Sequence, residues 1–186
     1  MSEILIQNVR LAYGHGVFEK QSFEDGKPKF TAKFILPPDH PQIPAIKSLI
    51  AQVAKDKWAA KADATLKRIE AKDATCLHDG DTQRGDGFEG MLFVTASNDK
   101  RPTAYNRDRT PVTKEDGVIY SGCYVNVKVD IWAQDNSWGQ RINGDLLGVQ
   151  FVKDGDSFAA GAPPAEAEAF PDLDAGGAAE ADSLYA

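Results

Sequence analysis

The sequence has few of the residues that make disulfide staples, metal cages and membrane spans. Its 186 residues include two cysteines, Cys76 and Cys123, and three histidines, His15, His40 and His78. Two thiols make a disulfide framework implausible, so reduced cysteines in a cytoplasmic protein are expected. No run approaches the ~20 apolar residues of a membrane span. Met1-Ser2-Glu3-Ile4 lacks the basic and apolar regions of a signal peptide. No phosphate loop, dinucleotide fingerprint or nucleophile elbow occurs. Apolar residues at 42% and charged residues at 26% still fit a globular chain, not a disordered one.

Basic residues are also missing from one end. Lys153 is the last, so residues 1–153 hold 21 Lys+Arg against 20 Asp+Glu, a net of +1, while 154–186 hold eight acids and a net of −8. The acidity of the whole chain is a tail property and does not exclude a nucleic-acid partner for the body. The tail is rich in Ala, Gly and Pro, and such a segment buries too little apolar area to offset its ordering entropy. The expected organisation is a domain over 1–158 and a disordered acidic tail over 159–186. The tail's Phe170, Leu173, Leu184 and Tyr185 are candidate anchors for a partner protein; a merely solubilising tail is the alternative.

Along the body, Ile4, Ile6, Val9, Leu11 and Tyr13 nearly alternate with polar residues and predict a strand over 3–13, broken at Gly14-His15-Gly16. A second strand is expected over 29–36, with Phe30, Ala32, Phe34 and Leu36 on one face. Ile43, Ile46, Ile50, Val53 and Ala54 then switch to helical spacing. Pro44 suits a first turn, and Asp63 suits the cap of a second helix over 64–72. Residues 76–90 read as loop and 91–97 as strand. From Cys123 to Trp132 the alternation is strict: Cys123, Val125, Val127, Val129 and Ile131 share one face, with Tyr124, Asn126, Lys128, Asp130 and Trp132 on the other. A turn over 134–137 leads to a last strand region, 138–153, interrupted at Asn143-Gly144-Asp145. Strands that do not alternate with helices argue against a doubly wound parallel fold. The expected class is mainly β with a helical insertion at about 43–72: an OB-fold-like antiparallel barrel.

Enzyme patterns are weak. Cys76, His78, Asp79 and Cys123 lack the paired spacing of a zinc ribbon. Asp39 with Glu70-Ala71-Lys72 mimics a metal-dependent nuclease, but that chemistry needs both elements on adjacent strands, and here one is helical and one lies in a proline-rich turn. No catalytic residue, metal or cofactor is expected. Single-stranded nucleic acid needs cations for the backbone and flat rings for the bases. Lys100, Arg101, Tyr105, Arg107 and Arg109 supply both within one stretch. Tyr124, Lys128 and Trp132 share a strand face, Trp138 and Arg141 open the next strand, and Lys33 lies on the second. The alternative for Tyr124 and Trp132 is packing beneath the helical insertion.

The block Tyr120-Ser121-Gly122-Cys123-Tyr124-Val125, the loop Leu77-His78-Asp79-Gly80-Asp81 and the closing run Leu147 to Asp156 resemble the tailed-phage single-stranded DNA-binding proteins first catalogued as a domain of unknown function. The resemblance covers about 1–158. It implies an OB-fold, single-stranded DNA as partner, a role in phage replication or recombination in the host cytoplasm, and an acidic tail that meets phage or host replication proteins. Two other readings stand beside it: a phage nuclease, and an acidic module that mimics DNA.

Overall fold

The computed structural model describes residues 2–23, 26–83, 85, 87–158 and 167–174. Most of the expected tail, including Leu184 and Tyr185, lies outside the described residues.

Five strands close a barrel. β1 (Glu3–Ala12) lies between β3 (Gly26–Leu36) and β7 (Tyr124–Asn136), and β7 continues to β8 (Gly139–Lys153). β8 meets β5 (Leu92–Asn98) in parallel at Asp145 and Ser97, and β5 returns to β3 in antiparallel register from Phe30↔Asn98 to Leu36↔Leu92. Numbering the five in chain order, the ring runs 1-2-3-5-4 and back to 1, which is the closed Greek-key barrel of the OB-fold. Alternation along each strand fills the inside. Ile6, Val9 and Leu11, then Ala32, Phe34 and Leu36, Val94 and Ala96, Val125, Val127, Val129 and Ile131, and Ile142 and Leu146 are all buried. Each Val, Leu, Ile or Phe side chain among them contributes about 1.5–3 kcal/mol on leaving water.

The insertion forms α2 (Ile43–Trp58), a 3₁₀ turn, and α3 (Ala62–Ala71). The apolar stripe Ile43, Ile46, Ile50, Val53 and Ala54 is buried against the barrel core, with Ile69 of α3. Asp63 is not the cap: Lys61 holds that position with no side-chain bond, and Asp63 stands in the first turn. Trp58 Nε1 donates to Asp135 Oδ2 at 2.8 Å and Arg68 bonds Gln140, so the helices also grip the long β7–β8 hairpin.

Several local expectations are corrected. The break after Tyr13 holds a short helix, α1 (His15–Phe18), and a strand, β2 (Gln21–Phe23). The expected loop 76–90 begins with β4 (Leu77–Asp79) paired to β5, and the basic stretch contains β6 (Thr103–Tyr105) paired in parallel to β8. The hairpin turn is tighter than 134–137, since β7 runs to Asn136 and β8 resumes at Gly139. β8 is not interrupted at Asn143-Gly144-Asp145; all three pair with β7. Gly144 is there for room, because a Cβ would fall 2.9 Å from Val129 Cγ1.

Candidate nucleic-acid interface

The second and third strands of an OB barrel, with the loops joining strands 1–2 and 4–5, are the usual oligonucleotide surface of this fold. Here these are β3, β5, the connection through residues 13–23 and the β7–β8 hairpin tip. On the outside of β3, Lys33 stands opposite Thr95 of β5. Its Nζ lies 5.3 Å from the Tyr13 ring centroid and 5.2 Å from that of Phe93, and donates to Gln83 Oε1 at 2.5 Å. Burial pushes the Lys33 ammonium below the usual lysine range, an effect the Asp73 carboxylate partly offsets. Tyr13 is 41% exposed and sits at φ 58°, a strained value for an aromatic residue. The outlier swings its ring off the end of β1 and over the β3–β5 face.

The face is aromatic beneath. Phe93 stacks on the His78 ring at 4.7 Å and meets Phe88 edge-on at 5.2 Å. His78 Nδ1 bonds Asp73 Oδ1 at 2.7 Å, which fixes the stacked ring. At one end of β3, Phe30 lies under two cations, Arg101 at 5.6 Å and Lys20 at 5.8 Å. A groove lined by Tyr13, His15, Gln21, Thr31, Lys33 and Thr95 runs across this surface.

Of the sequence candidates, Lys33 lies on the β3–β5 face itself and Arg101 at its end, over Phe30. Tyr105, Arg109 and Lys128 come together in a different groove, across the barrel on β7, β8 and β6. Lys100 is exposed on the loop between β5 and β6. Arg107 Nη1 donates to the Val152 carbonyl at 2.6 Å, so part of its guanidinium serves the fold. Tyr124 carries Lys153 Nζ over its ring at 4.7 Å. Trp132 and Tyr124 are not packed under the helices. Trp132 is 39% exposed and Nε1 donates to Asp145 Oδ1 at 2.8 Å, while its neighbour Ile131 faces the core. Trp138 is 85% exposed at the hairpin tip, with Arg141 exposed nearby. Thus the candidates do not form one track. Tyr13, His15, Lys20 and Phe93 were missed because a period-two reading assigns residues to faces but cannot say which strands become neighbours.

The enzyme-like groups are placed for structure. Cys76 and Cys123 are buried in the core, and burial pushes the Cys76 thiol up to about 12. Glu70 lies on α3 and Asp39 in the turn before α2, so the nuclease-like acids do not share a sheet. No three His, Cys, Asp or Glu side chains converge on a metal-sized position among the described residues. No helix among them is long and apolar enough to cross a membrane.

The body ends against its own barrel. The Tyr120 hydroxyl donates to Asp154 Oδ1 at 2.8 Å and accepts from the Gly155 N–H at 3.1 Å. Gly122 and Gly155 face each other so closely that a Cβ on Gly122 would fall 2.1 Å from the Asp156 carbonyl oxygen, and one on Gly155 2.2 Å from that of Gly122. Phe158 then packs on the small apolar cluster of Ala12, Ile35, Phe88 and Phe93, at the edge of the β3–β5 face.

A family model described as the ssDNA-binding protein of Enterobacter phage Enc34 matches residues 2–182. Protein p50 of Acyrthosiphon pisum secondary endosymbiont phage 1 is 37% identical over 174 residues, covering 92% of this chain and 94% of that one. The structure of the single-stranded DNA-binding protein from bacteriophage Enc34 in complex with ssDNA superposes with a TM-score of 0.71 at 26% identity, over 85% of this chain and 90% of that one. Gp2.5, a single-stranded DNA-binding protein of bacteriophage T7, is 12% identical with a TM-score of 0.56, over 89% of this chain and 99% of that one, a likeness of fold.

Proposed function

Because the chain belongs to the family of single-stranded DNA-binding proteins represented by that of Enterobacter phage Enc34, we propose that it binds single-stranded DNA without strong sequence preference, as a non-enzymatic protein of phage replication or recombination in the host cytoplasm. The observation that carries this reading is the Tyr13–Lys33–Phe93 group on the β3–β5 face. The exposed Tyr13 ring can stack on any base, the buried Phe93 backs the group from beneath, and the Lys33 ammonium meets the backbone. Trp138, on the loop between the fourth and fifth barrel strands, extends the stacking surface.

The acidic tail competes with DNA for this face. Its root is fixed at Phe158, beside the Tyr13 groove, so the tail's effective concentration there is on the order of millimolar. Its six carboxylates beyond Phe158 carry the sign of a phosphate chain but offer no bases to stack. DNA therefore displaces the tail and frees its apolar anchors, Phe170, Leu173, Leu184 and Tyr185, for phage or host replication proteins. Phe170 and Leu173 are exposed.

A gel-shift of labelled oligonucleotide with and without magnesium tests the reading. Binding gives a shift indifferent to magnesium, a nuclease gives magnesium-dependent degradation, and a DNA mimic gives neither. Affinity should fall with salt with a log-log slope of roughly −0.7 per phosphate contacted. Salt-independent affinity would sink the model.

A further inference from the structure

We infer that bound single-stranded DNA continues past the β3–β5 face, over the end of the barrel, into a second groove on the far side. This rests on the single-stranded DNA reading above and adds the path of the strand. The second groove encloses about 670 Å³ and is lined by Leu5, Tyr105, Arg109, Asn126, Lys128 and Gln150, among others. One wall is β6, held close to β8 because Gly148 has no side chain; a Cβ there would fall 2.4 Å from Thr103 Oγ1. Asn126 Nδ2 bonds Gln150 Oε1 at 3.1 Å and makes a polar floor.

Two features point to an anionic strand as the occupant. Arg109 has φ 68°, a conformation in which a side chain costs about 1–2 kcal/mol and glycine or asparagine is usual. The turn that imposes it is tightly bonded, with the Arg109 N–H on the Asn106 carbonyl and Asp108 Oδ1 accepting from both Thr110 N and Oγ1. The strained turn holds a guanidinium at the groove mouth with no hydrogen-bond or ion-pair partner among the described residues. Across the groove, Lys128 Nζ is only loosely held, 3.3 Å from Glu3 with both side chains substantially exposed. Such a pair is weak and yields to a phosphate. Asp108 also lines the groove, and its Oδ1 is engaged by Thr110 N and Oγ1.

The loop between β5 and β6 runs from the wall of one groove to the wall of the other. Lys20 and Arg101 over Phe30 mark the end of the β3–β5 face. Arg101 and Lys100 belong to the short loop that leads into β6, the wall of the second groove. A strand leaving Lys33 along this route passes Lys20, Arg101 and Lys100 before it reaches Tyr105 and Lys128.

The test compares oligo(dT) of about 6 and about 20 nucleotides, near the lower end of and above the roughly 4–16 that one OB-fold covers. It uses the full chain, the double variant Lys128→Gln/Arg109→Gln, and Lys33→Gln. Thermal melts must match the parent. The double variant should bind the short oligonucleotide within about twofold of the parent and the long one at least about tenfold more weakly, with the salt slope reduced by roughly 1.4 for two lost contacts. Lys33→Gln should weaken both. Parent-like affinity of the double variant for the long strand, or equal losses on both lengths, overturns the two-groove path. Failure of the parent to bind either length overturns the single-stranded DNA reading itself.

Discussion

Phe158 lies across the guanidinium of Arg10, with Cζ 4.1 Å from the ring centroid, and the same guanidinium donates to the carbonyls of Gly122 and Asp156. One side chain on β1 therefore ties the last residues of the body to the loop before β7. Gly122, at φ 112°, completes the latch by letting the returning backbone pass where a side chain would stand. Gly122→Ala should cost about 1–3 kcal/mol of stability. Phe158→Ala should cost about 1–2 kcal/mol, from the lost cation–π contact and partial burial. Denaturant melts check both; an unchanged midpoint for Gly122→Ala would mean that the segment is not held there.

Removing residues 160–186 should tighten single-stranded DNA binding by roughly tenfold at low salt, because a tethered competitor at millimolar effective concentration is lost. At physiological salt, where charge reaches only about 8 Å, the gain should shrink. Titrations of full-length and truncated protein at two ionic strengths decide this. Coincident curves at the lower one would leave the tail an inert solubiliser.

Lys33 gives a pH test. Burial lowers its ammonium pKa below 10.5 in the folded protein, so the unfolded chain binds more protons between the two values. Stability from this group is therefore lowest below the folded pKa and recovers as pH rises through 10.5. DNA binding should run the other way. A phosphate beside Lys33 favours the charged form, so affinity should decline as pH rises through the free protein's Lys33 titration. Lys33→Gln should lose that alkaline decline, measured by anisotropy titration across the alkaline range. A variant with the same pH profile as the parent would remove Lys33 from the interface.

The two hairpin tryptophans should separate. Trp138→Ala should leave stability within about 0.5 kcal/mol of the parent, as for an unpacked surface residue, and weaken single-stranded DNA binding by about 1–3 kcal/mol for a lost stacking ring. Trp132→Ala should also cost stability, since the ring is half covered and bonded to Asp145. Tryptophan fluorescence quenching by oligo(dT), followed in each variant, reads the contact directly. If Trp138→Ala binds as the parent does, the hairpin tip lies off the path.

Much of the barrel was legible because burial writes a period of two into a strand. Cys123 to Ile131 on one face, and Phe30 to Leu36 on another, follow the alternation of the sequence, and the 43–54 stripe follows its helical spacing. The site was less legible, for a physical reason. Stacking surfaces arise where strands distant in sequence become neighbours, and no periodicity says that Tyr13, Lys33 and Phe93 will meet. Lys128 and Tyr105 could be picked out as a cation and a ring, yet not as occupants of a groove across the barrel from Lys33. The Tyr120–Val125 block was distinctive as a string before its purpose was visible. Its Gly122 makes room for residues 154–158, a constraint between segments that a linear reading does not weigh.

The closure of the barrel has a consequence for how the chain is made. β1 completes its pairing only with β7, Glu3 lying opposite Asp130. A ribosome adding about 5–20 residues per second leaves Ile4, Ile6, Val9 and Leu11 without that neighbour for several seconds. The β1–β3 pairing, Arg10 with Ile35, is available much earlier and can shelter part of β1. Such distant pairing makes for slow folding, because loop closure is met before its contacts form. The acidic tail is synthesised only after every strand of the barrel, so its like charges are absent while the strands pair.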